Sequence, residues 1–550
     1  MKNRLNQMKR VFAAVLLAVA FLACGGGGTP PELLTVAVHP VTGTTLAGPN
    51  QNPFDASQAK KMRFSVTGAG IEGVLESVVD FNTHQAVLPD IPEGYGRQVT
   101  VEVCKEFCDE KMAGDIFARG RSVPLTVKHN DPERTVNVFV SPKNSFSSPA
   151  DTSNPPANTS LVQGERIGAT MTVLDDGNVL ILGGARIKTG SASWTRAEDL
   201  DVVIPEAEVY DPRDGSFTAV GPMTIPRAFH QAVKLSDGRV VVLGGYTQIA
   251  GGPASITDSV EVFEPDSGVF RQSSQGLSGG AGRALFTAAL AGTSPDVIFL
   301  AGGLSDPKAA GSTWDMYILD TGTVAHGPLS TIRYNHAMSL LSTYGRTGSD
   351  PGTDAFILFG GENDQGIVSD VEPFTVSGFE VKADDTATTK LPGGGRTMLT
   401  AVHVAQQGII YVIGGFTDTG HNQPSNRVDV FREGRRGFVD GEVLFLNAAR
   451  GAHTAALIDF NTIFVAGGLG FGGNTLPSTE LIIENLECDD LENQIGCKYV
   501  ITSVASWTPD LAPARAGHMS VFDSTRRVFV AGGFSQFSQP VKTATLYNPD

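Results

Sequence analysis

Long apolar stretches of helical pattern are nearly absent from these 550 residues, as are cysteine (5) and tryptophan (3). Basic charge is also scarce: 41 Lys and Arg stand against 58 Asp and Glu, a formal net charge of −17. That balance excludes nucleic acid as a partner, because phosphates demand a basic surface. The longest unbroken apolar run near the start, residues 11–23, is too short to cross a bilayer as a permanent helix. Glycine is abundant, with 64 residues set among many short β-branched runs, which is the composition of an all-β chain with tight turns. The length predicts two or three domains.

Residues 1–24 read as a targeting segment. Lys2, Arg4, Lys9 and Arg10 precede the apolar run, which ends in Phe21-Leu22-Ala23-Cys24 followed by Gly25–Gly28. This resembles the bacterial lipobox, although Phe21 and Leu22 depart from its usual residues. The resemblance implies a lipid on Cys24, a flexible tether over 25–33 and a membrane partner through the anchor. With glycine after the cysteine it also implies outer-membrane sorting, facing either the periplasm or the outside. The other four cysteines form two local couples, Cys104 with Cys108 and Cys488 with Cys497. In an exported chain such couples read as disulfides. A metal site is the rival reading, but the couples are far apart and no histidine stands at ligand spacing.

Residues 34–143 carry five runs of period-two alternation, at 34–38, 62–66, 99–103, 123–127 and 136–140. Each reads as a half-buried strand. Their number and spacing predict a small immunoglobulin-like β-sandwich acting as a stalk. Residues 144–157, rich in Ser, Pro, Asn and Asp, read as an extended linker.

The remainder is repetitive. A short apolar run ending in Gly-Gly occurs seven times: Gly183-Gly184, Gly244-Gly245, Gly302-Gly303, Gly360-Gly361, Gly414-Gly415, Gly467-Gly468 and Gly532-Gly533. Successive intervals are 61, 58, 58, 54, 53 and 65 residues. Each pair is preceded by one of Arg166, Arg227, Arg283, Arg333, Arg396, Arg450 and Arg515. Most are followed by a pattern such as Glu208-Val209-Tyr210-Asp211-Pro212, then by a turn and an aromatic residue. The repeat resembles the kelch family from residue 166 to 550. It implies a seven-bladed β-propeller over 158–550, each blade having four strands. The chain ends in what matches a third strand, at Ala544 to Pro549, so residues 158–163 are expected to supply the missing outer strand and close the ring.

Arginines at this repeat position contact acidic peptides in several kelch adaptors. The resemblance therefore implies an anion-binding rim of seven guanidinium groups. The alternative is structural, with each arginine satisfying carbonyls and holding the ring together. His230, His336, His453 and His518 stand three residues after four of the arginines, where the other blades have Ala169, Phe286 and Leu399. Interchange with apolar residues makes this a packing position, and no metal is expected. No cofactor or catalytic residue is evident either. Loops that break the repeat, at 185–205 with Trp194, 342–354, 416–427, 469–477 and 485–506, are the better candidates for recognition. Those after the Gly-Gly are expected to share one face with the channel mouth. The expected function is binding a protein or glycan there. The alternatives are an exported enzyme similar to the kelch sugar mutarotases, or a purely structural envelope protein.

Overall fold

The computed structural model describes residues 34–549 except 46–47, 72–74, 83–84, 89–90, 110–111, 113, 129–133, 150–160, 162–163, 165, 192, 250, 279–280, 294, 307–308, 311–312, 342–352, 378, 384–388, 488–497, 506–507 and 537–538. Cys24 and the Cys488–Cys497 couple therefore lie outside the described residues, whereas Cys104 and Cys108 are joined by a disulfide with S–S 2.10 Å. Among the described residues there is no α-helix, only strands, turns and short 3-10 segments.

The N-terminal unit is a pair of sheets joined by their last strand. Leu34–Pro40 runs parallel to Arg134–Pro142 and antiparallel to Gln85–Leu88. Lys61–Thr67 lies between Leu75–Asp80 and Gly94–Cys104, and the latter pairs with Ile116–Arg121. The end of Arg134–Pro142 crosses over, so that Ser141 and Pro142 pair with Arg119 and Ala118. Alternation does what its period dictates. Met62, Phe64 and Val66 are fully buried, and Val36, Val99, Val101 and Val138 meet them in one core.

The second body is a seven-bladed β-propeller. Blade 1 is Thr170–Val173, Val179–Leu182, Ala207–Asp211 and Ser216–Val220, paired in that order from the channel outward. Blades 2 to 6 repeat this four-strand order. The second strand of each blade is the continuous apolar run read from the sequence. Sandwiched between neighbouring blades, residues such as Val240–Leu243 and Ile409–Ile413 are buried on both faces.

The glycine pairs close the ring. Both glycines of every pair have positive φ, from 56° to 108°, a region that a side chain enters at a cost. The turn aims the second glycine's N–H across the blade boundary. Gly184 donates to the Arg227 carbonyl, Gly245 to Arg283, Gly303 to Arg333, Gly361 to Arg396, Gly415 to Arg450 and Gly468 to Arg515. Gly533 then donates to Arg166, so the seventh bond returns to the first blade.

Closure of blade 7 differs from expectation. Its strands are Met519–Phe522, Val528–Ala531 and Ala544–Asn548, and the fourth is Ser145–Ser147. The outer strand is thus supplied by residues expected to be linker, and it does not come from 158–163. Within that segment Leu161 is described. It is buried between blades 1 and 7 and donates its N–H to the Lys542 carbonyl. The physical reason is one aromatic residue. Phe146 is buried against Phe464 and Tyr547, with ring centroids 6.1 and 5.2 Å away, so a serine-flanked strand still has a hydrophobic anchor. Gly43–Thr45 and Gly48–Gln51 of the N-terminal unit extend the same sheet to six strands. Asn548 donates to the carbonyls of Arg119, Ser141 and Pro142, and Gln98 donates to that of Ser524. The unit expected as a stalk is therefore docked on blade 7 and shields its edge.

Candidate functional site at the channel mouth

The seven arginines do not form a binding rim. Each runs inside its own blade: six have relative exposures of 2% or less, and Arg283 reaches 6%. The guanidinium spans the break between the second and third strands. Arg227 donates to the carbonyls of Gly244 and Ser259, both at 2.8 Å, and to Glu261 at 3.1 Å. Arg450 does the same with Gly467, Ser478 and Glu480. The acid recurs on the third strand as Glu208, Glu261, Asp315, Glu372, Asp429 and Glu480. Blade 7 is the exception. Arg515 there meets only carbonyls and the hydroxyls of Thr543 and Thr545, and burial lowers its pKa to about 10. The other donors are spent on the protein, and although Nε of Arg166, Arg396 and Arg450 has no partner it is buried, so these groups are closed to a ligand. These acids are what sequence reasoning missed, although one stands 30–42 residues after each of the first six arginines.

The histidines also serve the blade boundaries. Nε2 of His230, His336, His453 and His518 lies 3.0, 2.8, 3.0 and 2.9 Å from Oγ1 of Thr170, Thr287, Thr400 and Thr454 on the preceding blade. Burial, followed by the nearby arginine, pushes His230, His336 and His518 down to about 3, and His453 well below its ordinary value. Among the described residues no three His, Cys, Asp or Glu side chains are grouped to hold a metal.

Just past each arginine the chain reaches the channel. Gly168, Phe229, Leu285, Asn335, Met398, Ala452 and Gly517 all sit at φ between 50° and 60°. From Phe229 onward each donates its N–H to the carbonyl of the one before, forming a collar. A second layer is made by the residue after each Gly-Gly, bridged to the residue after each arginine. In sequence order this layer reads Ala185, Tyr246, Leu304, Glu362, Phe416, Leu469 and Phe534. Six of the seven are apolar or aromatic and share one buried cluster. Glu362 breaks the rule.

Its neighbours break it too. Asn335 is the polar member of the collar, while Tyr334 and Thr397 follow their arginines where the other blades have Ile, Ala or Gly. Glu362 Oε1 accepts from Asn335 Nδ2 at 2.8 Å and Thr397 Oγ1 at 3.2 Å, and lies 3.0 Å from His421 Nε2. His421 arrives on the loop after Gly414-Gly415, with φ 54°. Burial first, then the charge of Glu362, raises the Tyr334 phenol to about 12, and Arg196 opposes this. Across the channel Trp194, from the loop after Gly183-Gly184, packs on Phe229 and Phe534 with centroids 6.1 and 5.4 Å away. It overlies Gly517, where an added Cβ would lie 3.1 Å from the indole. Between these two sides is a cavity of about 1050 Å³, lined from every blade but the second. The loops at 185–205, 416–427 and 469–477 contribute to it, together with Asn363 to Gly366. They do share one face with the mouth, as the repeat position of the Gly-Gly predicted. Residues 342–352 lie outside the described residues, and so does half of the 485–506 loop, whose other residues belong to the paired strands Thr479–Glu487 and Lys498–Ala505.

No protein-family model matches the chain. Kelch-like protein 34 of Homo sapiens is 29% identical over 175 residues, which is 31% of this chain and 26% of that protein. The chain thus aligns with about a quarter of that relative's length. Two solved structures rank among its similar folds. One is titled "Structure of YjhT" and is 14% identical, covering 59% of this chain and 96% of its own, with TM-score 0.41. The other is a fungal alcohol oxidase of the AA5 family in complex with copper, also 14% identical, covering 70% and 74%, with TM-score 0.48. The fold is that of a seven-bladed β-propeller, and part of the chain is similar to a kelch-like protein.

Proposed function

We propose that this protein is an envelope-anchored binding module, held to the membrane by a lipid on Cys24, which recognises a protein or glycan at the mouth of its propeller. The N-terminal unit, an immunoglobulin-like sandwich in this reading, fixes the propeller relative to the anchor. The observation that carries the proposal is the polar sector of the mouth. A carboxylate in an otherwise apolar ring costs stability unless partners are built around it, and Asn335, Thr397 and His421 all depart from the repeat to supply them, which supports a use for this sector. Propellers host many functions, and the fold alone does not choose among them.

A second reading, an exported enzyme of the sugar-mutarotase kind, is favoured by one specific feature. Glu362, His421 and Tyr334 bring a carboxylate, an imidazole and a phenol to one cavity, the groups that acid/base chemistry employs. One experiment separates the readings. Envelope extract is passed over immobilised residues 31–550 and over the variant His421→Ala with Asn422→Trp. A partner or glycan retained by the native chain and lost by the variant supports the module. Equal retention by both removes the mouth from recognition. Interconversion of sugar anomers by the native chain alone moves the assignment to the enzyme.

A further inference from the structure

We propose that the mouth is a saccharide site for a neutral sugar ring, which stacks its C–H face on Trp194 and sets its hydroxyl edge against Glu362. This rests on the binding-module reading and names its ligand class.

The cavity has two unlike sides. Trp194, Leu304, Leu469 and Phe534 give an apolar side, and the indole is only partly buried. The polar side is formed by Glu362, by His421 bonded to it, and by Asn422. A sugar ring has the same division, with apolar C–H bonds on its faces and hydroxyls around its edge. An indole offers a large rigid apolar surface at low entropic cost, and a carboxylate oxygen accepts from hydroxyls.

Charge argues for a neutral ligand. Glu362 Oε1 already gathers Asn335, Thr397 and His421, which spread its charge before any ligand arrives. The one arginine in the lining, Arg196, is exposed and lies 3.7 Å from Glu198, and Glu198 and Asp364 line the cavity as well, so carboxylates outnumber guanidinium there. The seven repeat arginines are buried inside their blades and do not line the cavity, so an anionic sugar has little to meet. Glu362 has three partners and Glu198 has Arg196, so a strongly cationic peptide would gain little from either. A further aromatic residue, Phe471, stands 62% exposed beside the lining residues Gly472 to Asn474. It extends the apolar surface outward over blade 6, which suits an oligosaccharide.

The test is titration calorimetry with tryptophan fluorescence on the full chain. Chitotriose, cellotriose and maltotriose serve as neutral probes, sialyllactose as the acidic one and trilysine as the basic one. At least one neutral trisaccharide is expected to bind saturably and shift the emission. Trp194→Ala and Glu362→Gln should each weaken it about tenfold or more. Asn422→Trp, a change on an exposed loop that leaves the packed layers intact, should block it. Trp314→Phe should not affect it, because Trp314 packs on Phe299 within blade 3 and away from the cavity. Failure of every neutral probe to bind below about 10 mM, or binding that survives Asn422→Trp, overturns the proposal. Binding of sialyllactose or trilysine alone overturns it too. A protein partner captured at the mouth in that case leaves the module standing with a different ligand.

Discussion

Two layers of side chains lie within a few residues of each other at one end of the channel, and they obey opposite rules. The arginine layer has the same residue in all seven blades, buried and bonded to its own blade. The mouth layer beside it holds six apolar or aromatic residues and one glutamate. Repetition in a closed ring measures what every blade needs in order to stand, because each blade solves the same packing problem. Departure from the repeat marks what one place does that the others do not. Here blades 4 and 5 depart, and the arginines do not.

The largest effect that could break this comparison is in the arginine layer. Arg227→Leu strands Glu261 in a dry interior, and removing one partner of a buried pair typically costs about 3–5 kcal/mol. Urea unfolding should show that loss as a lowered midpoint. Arg515 sharpens the comparison within the layer, because Thr545 stands where the other blades have an acid. Arg515→Leu leaves only unpaired carbonyls and hydroxyls, so about 1–3 kcal/mol is expected. Thr545→Glu should raise the midpoint by giving Arg515 the partner it lacks. Equal losses in Arg227→Leu and Arg515→Leu would mean that the carbonyl bonds, and not the acids, hold the blades.

How much of this was readable beforehand follows the same division. The blades were legible because a fully buried strand is a continuous apolar run, and because only glycine sits easily at φ near 60° and 100° in succession. Strands such as Lys61–Thr67 were legible from their alternation. The outer strand of blade 7 was not, because Ser145–Ser147 has a single apolar residue and its pairing is set 400 residues away. The polar sector was missed for a different reason. Glu362 comes from one repeat and Thr397 and His421 from the next, and only blade-to-blade packing brings them to one carboxylate oxygen. The signal was present all the same, as the single acid following a Gly-Gly pair.

The histidines lie between the two layers in the size of their effect. In the folded chain three are held down at about 3 and the fourth also well below its ordinary value. The unfolded chain binds their protons near pH 6.5. Stability is therefore complete above pH 6.5 and falls as the pH drops toward 3, by about 1.4 kcal/mol per pH unit for each histidine. His336→Leu places at blade 4 the residue that blade 5 already has as Leu399. Its unfolding free energy should fall less steeply than the native chain's between pH 6.5 and 5, by about 2 kcal/mol over that window. Identical slopes would show that His336 is not buried as a neutral group.

The smallest expected stability effect belongs to the mouth, and its smallness is the point. Asn422 is exposed on a loop, and its side-chain bond is to the nearby Gly420 carbonyl. Asn422→Ala should change the unfolding midpoint by no more than about 0.5 kcal/mol, as exposed substitutions away from packed features do. If the mouth is where ligand is held, the same substitution should still weaken binding severalfold, with the arginine layer untouched. A variant that loses stability and binding together would tie the loop to the blades and dissolve the distinction between the two layers. Loss of binding at unchanged stability would show that the irregular layer is carried by the repeat without being needed to build it.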